Sequence, residues 1–144
     1  MPPVTYRSTR GEANGKSFEE AVLGGLAPDG GLFVPEMIPK MSLSEIEGLR
    51  GKSFEDVAYA VISKFVSPDD IPTADLKRII KASYSTFRHE ERTPSIKYKD
   101  FWVLELFHGP TFAFKDVALQ LLGNLFEFFL KRGNLQKRVT ILGA

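Results

Sequence analysis

Apolar positions recur at helical spacing through the first two-thirds of the chain and cluster into extended runs after that. Over residues 17–26 a serine precedes two acidic residues and then Ala21, Val22, Leu23 and Leu26. Ser17 with Glu20 three positions on is the reciprocal hydrogen-bonding pair that opens a helix, and Gly24 and Gly25 supply its stop. Residues 27–31, Ala-Pro-Asp-Gly-Gly, are dense turn chemistry, and 32–35 reads as a short extended segment ended by Pro35. Across 53–66, Phe54, Val57, Ala58, Val61, Ile62 and Phe65 lie at the intervals of one helix face. Leu76, Ile79 and Ile80 predict a second amphipathic helix from about Thr73 to Tyr84, joined to the first at Pro68-Asp69-Asp70.

Beyond Pro94 the pattern changes. Residues 95–98 and 101–107 are rich in aromatic and branched side chains and flank a turn at Lys99-Asp100, which predicts a strand pair. His108-Gly109-Pro110 breaks the second strand. Residues 115–131 read as a helix apolar on most faces, with Lys131 and Arg132 at the negative end of its dipole and Gly133 as its stop. Residues 138–142 predict a strand apolar on both faces, and strand, helix, strand is the order of a parallel crossover. Such a strand needs neighbours on both edges and helices on both faces, more than this sequence provides. The expected fold class is α/β: a small α+β unit over 1–94, a boundary near Arg92, and at 95–144 the incomplete start of a second domain in a larger enzyme.

Composition removes several functions from consideration. With 19 basic and 18 acidic side chains the net charge is +1, which gives no support to nucleic-acid binding. Cysteine is absent, so disulfides, thiolate nucleophiles and cysteine-based zinc sites are out, and His89 and His108 are too few for an imidazole-rich metal cluster. The first ten residues hold no apolar stretch, so no secretory signal is expected. The most apolar segment, 117–130, is interrupted by Gln120, Gly123, Asn124 and Glu127 and is too short to cross a bilayer. A cytoplasmic protein without membrane attachment is the resulting expectation.

The stretch 104–116, Leu-Glu-Leu-Phe-His-Gly-Pro-Thr-Phe-Ala-Phe-Lys-Asp, carries the candidate chemistry. A lysine in aromatic surroundings at the first turn of a helix is expected to favour its neutral form, since burial and the positive helix terminus both oppose its charge. Neutral amine attacks a carbonyl, and an aldehyde cofactor captured in this way becomes an electron sink for amino-acid carbanions. The competing reading of Lys115 is a solvated charge on a packed stem. His108 is expected to make a structural hydrogen bond to local backbone or to shape a pocket, Thr111 to cap the helix or line the pocket, and Phe112 and Phe114 to pack in the core. Arg88, His89, Arg92 and Lys97 form a basic cluster that could attract a phosphorylated substrate, but Glu90 and Glu91 between them favour an ordinary solvated surface. Arg7 and Arg10 share that ambiguity.

Residues 108–116, His-Gly-Pro-Thr-Phe-Ala-Phe-Lys-Asp, resemble the cofactor-lysine motif of the threonine synthase family. Further passages resemble that family in the same order: 6–11, Tyr-Arg-Ser-Thr-Arg-Gly; 25–35, Gly-Leu-Ala-Pro-Asp-Gly-Gly-Leu-Phe-Val-Pro; and 84–88, Tyr-Ser-Thr-Phe-Arg. The helix at 117–130 is similar to that of the fungal-type branch, and 140–144 to the strand that precedes a Thr-Ser-Gly-Asp-Thr-Gly loop. The resemblance implies a fold-type-II domain dependent on pyridoxal 5'-phosphate, begun by the strand–helix–strand at 95–144. It also implies that Lys115 holds the cofactor as a Schiff base and serves catalysis. The implied reaction is conversion of O-phospho-L-homoserine and water to L-threonine and phosphate, by a lyase of threonine biosynthesis. A threonine synthase-like phospholyase, acting on a related phosphoamino compound, would share these motifs and differ in its product. A third reading is a non-catalytic interaction or oligomerisation fragment that self-associates through unpaired sheet edges.

Overall fold

The computed structural model describes residues 4–133 and 140. In chain order the elements are β1 (Tyr6–Ser8), α1 (Phe18–Gly24), β2 (Phe33–Pro35), α2 (Leu43–Glu47), α3 (Phe54–Ile62), α4 (Thr73–Tyr84), β3 (Ser95–Tyr98), β4 (Phe101–Leu104) and α5 (Asp116–Arg132). β1 and β2 pair antiparallel with Arg7 opposite Val34, and β3 and β4 pair antiparallel with Lys97 opposite Trp102. The strand predicted at 138–142, and the crossover it would close, lie outside the described residues.

Helix starts follow the serine pattern. In α1 the Glu20 N–H donates to Ser17 Oγ at 3.1 Å and the Ser17 N–H donates to Glu20 Oε2 at 2.9 Å, so two otherwise orphaned donors are satisfied at once. Gly25 closes the helix with φ 67°, a conformation that needs no Cβ. Sequence periodicity did not announce α2. Its apolar residues, Leu43 and Ile46, are exposed, and the helix rests on a second serine–glutamate pair, with the Ser42 N–H donating to Glu45 Oε2 at 2.7 Å. Ser53 caps α3 by accepting from the Asp56 N–H at 3.1 Å. α3 stops at Ile62 and not at the predicted 66, and the turn after it carries Val66 into the core.

Two helices pack on α4. Its Leu76, Ile79, Ile80 and Tyr84 are buried, with α3 on one flank and α5 on the other, and α5 reaches across to α1. Phe129 of α5 is fully enclosed and meets Phe18 of α1 edge-on at 6.1 Å between ring centroids. Buried polar atoms find local partners: the Ser83 hydroxyl donates to the Ile79 carbonyl at 2.8 Å. Arg132, in the last turn of α5 where a cation suits the dipole, pairs with Glu19 of α1 and donates to the Asp70 carbonyl. Tyr6 ties the first ribbon to this core through a 2.6 Å hydrogen bond from its hydroxyl to the Phe65 carbonyl. The β3–β4 ribbon is different, for every residue in it is exposed, Trp102 and Phe101 included.

Truncating the enclosed ring tests this arrangement. Phe129→Ala should cost ~3–5 kcal/mol, the range for deleting a buried aromatic side chain, as a lowered urea midpoint. The Tyr6 phenol gives a second test: its burial, reinforced by the Asp70 carboxylate, pushes it up to about 12. An unfolded tyrosine titrates near 10, so between these values the folded state keeps a proton that the unfolded state has lost. Stability from this group should therefore be intact below pH ~10 and fall as pH rises toward ~12. Tyr6→Phe should flatten that alkaline decline in chemical denaturation series.

A candidate cofactor-lysine site at the start of α5

The loop from β4 to α5 is built around one carboxylate. Asp116 is the first residue of α5 and is buried, and its Oδ2 accepts the Thr111 N–H at 2.8 Å while its Oδ1 accepts the Thr111 hydroxyl at 2.9 Å. Gln120, one turn on, adds a longer contact of 3.4 Å. Burial alone would raise this carboxyl, but the donors of Thr111, Gln120 and the Ala113 backbone hold it below the usual carboxylate range. A negative charge at the positive end of α5 is favoured for the same reason. Gly109 packs directly over it, and a Cβ there would strike the Asp116 side chain. That close approach explains the glycine.

Residues from the end of α4 reach the same loop. The Arg88 N–H donates to the His108 carbonyl at 2.8 Å, and its guanidinium donates from Nη1 to the Gly109 carbonyl at 2.6 Å and from Nη2 to the Pro110 carbonyl at 3.3 Å. The same guanidinium lies 4.1 Å from the centre of the Phe112 ring. Phe112 has φ 62°, a left-handed backbone that costs a residue with a large side chain ~1–2 kcal/mol. Its N–H closes the turn onto the Gly109 carbonyl at 3.2 Å. Tyr84, buried against Phe54 and Phe87, donates its hydroxyl to the Val117 carbonyl in the first turn of α5 at 3.0 Å.

Lys115 immediately precedes Asp116, and its own carbonyl accepts the Leu119 N–H at 2.8 Å. The expected aromatic shelter is absent: Lys115 is exposed, and so are Phe112 and Phe114, which were expected in the core. The core stripe of α5 is Val117, Leu121, Leu125 and Phe129, and Asp116 is buried separately, under the 109–111 loop, whereas Lys115, Ala118, Leu119 and Leu122 are exposed. Among the described residues the Lys115 amine has no ion-pair partner, because Asp116 spends its oxygens on Thr111 and Gln120.

Other expectations resolve differently. His108 bonds to a side chain, not to local backbone, donating from Nε2 to Glu105 Oε2 at 2.6 Å. Thr111 does not cap α5; it donates to the helix's first carboxylate. The basic cluster is not a free surface: Arg92 pairs with Glu55 of α3 at 2.8 Å, and Arg88 is bound to the loop. Arg10 donates to the Asp29 carbonyl at 2.9 Å. The parts played by Arg88 and Asp116 were missed by sequence reasoning. A signal for Asp116 was present, in that the Gly-Pro-Thr loop leaves backbone donors in need of an acceptor at a helix start. For Arg88 the family-like passage at 84–88 was a signal that it matters but not of its partners, since the carbonyl its Nη1 meets lies 21 residues away along the chain.

Comparison with known proteins identifies the family and the fold. The family described as threonine synthase N terminus matches residues 5–84. Threonine synthase of Schizosaccharomyces pombe is 53% identical over 98% of this chain and 29% of its own length. A crystal structure of threonine synthase from Brucella melitensis with PLP bound superposes with a TM-score of 0.87 at 45% identity, covering 91% of this chain and 28% of that one. The structure of threonine synthase from yeast gives 0.85 at 48% identity, covering 93% and 28%. This chain thus spans about three-tenths of the length of these relatives. With the family's N-terminal region matched over more than half the chain, and its fold reproduced, the chain belongs to the threonine synthase family.

Proposed function

We propose that this chain is the N-terminal part of a threonine synthase that uses pyridoxal 5'-phosphate, with Lys115 as the residue that holds the cofactor. The observation that carries the reading is an amine that, among the described residues, is left without an ion pair at the start of a well-anchored helix. Capture of an aldehyde requires a primary amine not locked to a carboxylate, and Asp116, the obvious competitor, is fully engaged elsewhere. The residues present therefore fit the covalent anchor of the cofactor. The relative from Brucella melitensis was crystallised with PLP bound, which supports the choice of cofactor.

The reaction proposed is conversion of O-phospho-L-homoserine and water to L-threonine and phosphate. When bound, the cofactor supplies an electron sink for carbanions formed on the amino-acid substrate. Nζ of Lys115 would be the covalent anchor for the aldehyde and, once released by substrate, would carry protons at the reacting carbons. The buried start of α5 fixes where Nζ can reach. Residues 95–144 begin the cofactor domain in this reading, and residues 1–94 form an α+β unit whose helical core α5 completes. Exposed Phe101, Trp102, Phe112, Phe114 and Leu119 support it, because an apolar surface of that extent marks a face that other protein covers. No helix among the described residues is long and apolar enough to cross a membrane, and a cytoplasmic setting is proposed.

Two measurements test the reading. Borohydride reduction of the full-length enzyme with PLP, followed by peptide mass spectrometry, should place the label on Lys115, and Lys115→Ala should lose both label and threonine formation. A ketone product in place of threonine would assign the enzyme to the phospholyase type. The 144-residue chain alone should take up PLP weakly and without saturation, because one anchor orients the cofactor poorly. A stoichiometric, saturable visible band from it would contradict this.

A further inference from the structure

Among the described residues, Phe112 is one of three non-glycine residues with positive φ, and it stands three positions before Lys115. Strain of this kind persists only where the surroundings over-determine it. Here the surroundings are Arg88. Its fork donates to two successive carbonyls, Gly109 and Pro110, and its flat face lies on the Phe112 ring. The Gly109 carbonyl accepts from both Arg88 Nη1 and the Phe112 N–H, so the side chain and the turn close on one oxygen. From that turn the Thr111 N–H and hydroxyl run to Asp116, the neighbour of Lys115. A continuous hydrogen-bonded path therefore joins Arg88 to the start of α5.

We propose that Arg88 is a positioning residue for the Lys115 amine, holding the strained 109–112 turn by bridging its carbonyls and stacking on Phe112. The inference rests on the reading of Lys115 as the cofactor lysine. Lysine cannot replace arginine in this role, for a compact ammonium offers neither a planar fork nor a stacking face. Arg88 itself is exposed, while its neighbours Tyr84 and Phe87 are buried in the helical core. Removing its side chain frees the turn and leaves that core in place.

The test uses the full-length enzyme with Arg88→Ala and Arg88→Lys. Both should slow borohydride-trapped PLP labelling of Lys115 and lower kcat by roughly 10- to 100-fold, the loss that misplacement by about an ångström carries. Both should also displace the pH titration of the enzyme's visible absorption, with KM for the substrate little changed. Thermal unfolding should stay close to that of the unsubstituted enzyme, which separates positioning from a merely structural role. If Arg88→Ala does not fold, Arg88→Lys decides. Unchanged labelling and an unchanged pH titration in Arg88→Lys overturn the proposal. Label on another lysine in the unsubstituted enzyme overturns the Lys115 reading and this inference with it, whereas label on Lys115 at equal rates in all three proteins overturns this inference alone.

Discussion

Burial of α5 along α4 is the contact on which the remaining structure depends. α1 has no fully buried residue of its own and is held by what α5 presents to it, chiefly Phe129 against Phe18. α3 likewise has none and leans on α4 from the other side. A single apolar stripe, running from Val117 through Leu121 and Leu125 to Phe129, thus gathers helices that are each too short to be stable alone. Arg132 then fastens the far end of the stripe to α1 through Glu19. The near end is fastened by polar means, and that is where the candidate site lies.

At that near end, the chain converts a buried charge into a fixed backbone. Asp116 would be costly without partners, and the donors around it come from the loop that must be ordered. Satisfying the carboxylate and shaping the turn are therefore one event. Lys115 gains its place from this without touching the carboxylate. It is held through its main chain, with its side chain on the outward face of the helix.

Much of this was legible in the sequence because the signals were local. Ser17 with Glu20, the spacing of Leu76, Ile79 and Ile80, and the basic residues before Gly133 each encode their result within a few positions. The misreadings share the opposite property. Phe112 and Phe114 look like core residues by type, yet burial is decided by what packs against them, and both stay exposed, Phe112 with the Arg88 guanidinium over its ring. Arg88 looks like part of a charged surface because Glu90 and Glu91 follow it, whereas its partners sit across a hairpin and a loop. α2 escaped notice because it lacks an apolar stripe, although its Ser42–Glu45 pair repeats the signature recognised at Ser17. The likeness of 84–88 to the family was visible, but its purpose became visible only when Tyr84 and Arg88 were seen to meet the lysine loop from one helix end.

The Tyr84 phenol draws a wider consequence. Its ring belongs to the interior that keeps the chain folded, and its hydroxyl ends on the Val117 carbonyl, two residues past the amine. Robustness of the scaffold and placement of the proposed anchor nitrogen are consequently coupled variables in this protein. A change that loosened the helical interior would blur the placement of that nitrogen well before it unfolded the chain, so under the proposed function tolerance to mutation at such interior positions is set by chemistry as much as by folding.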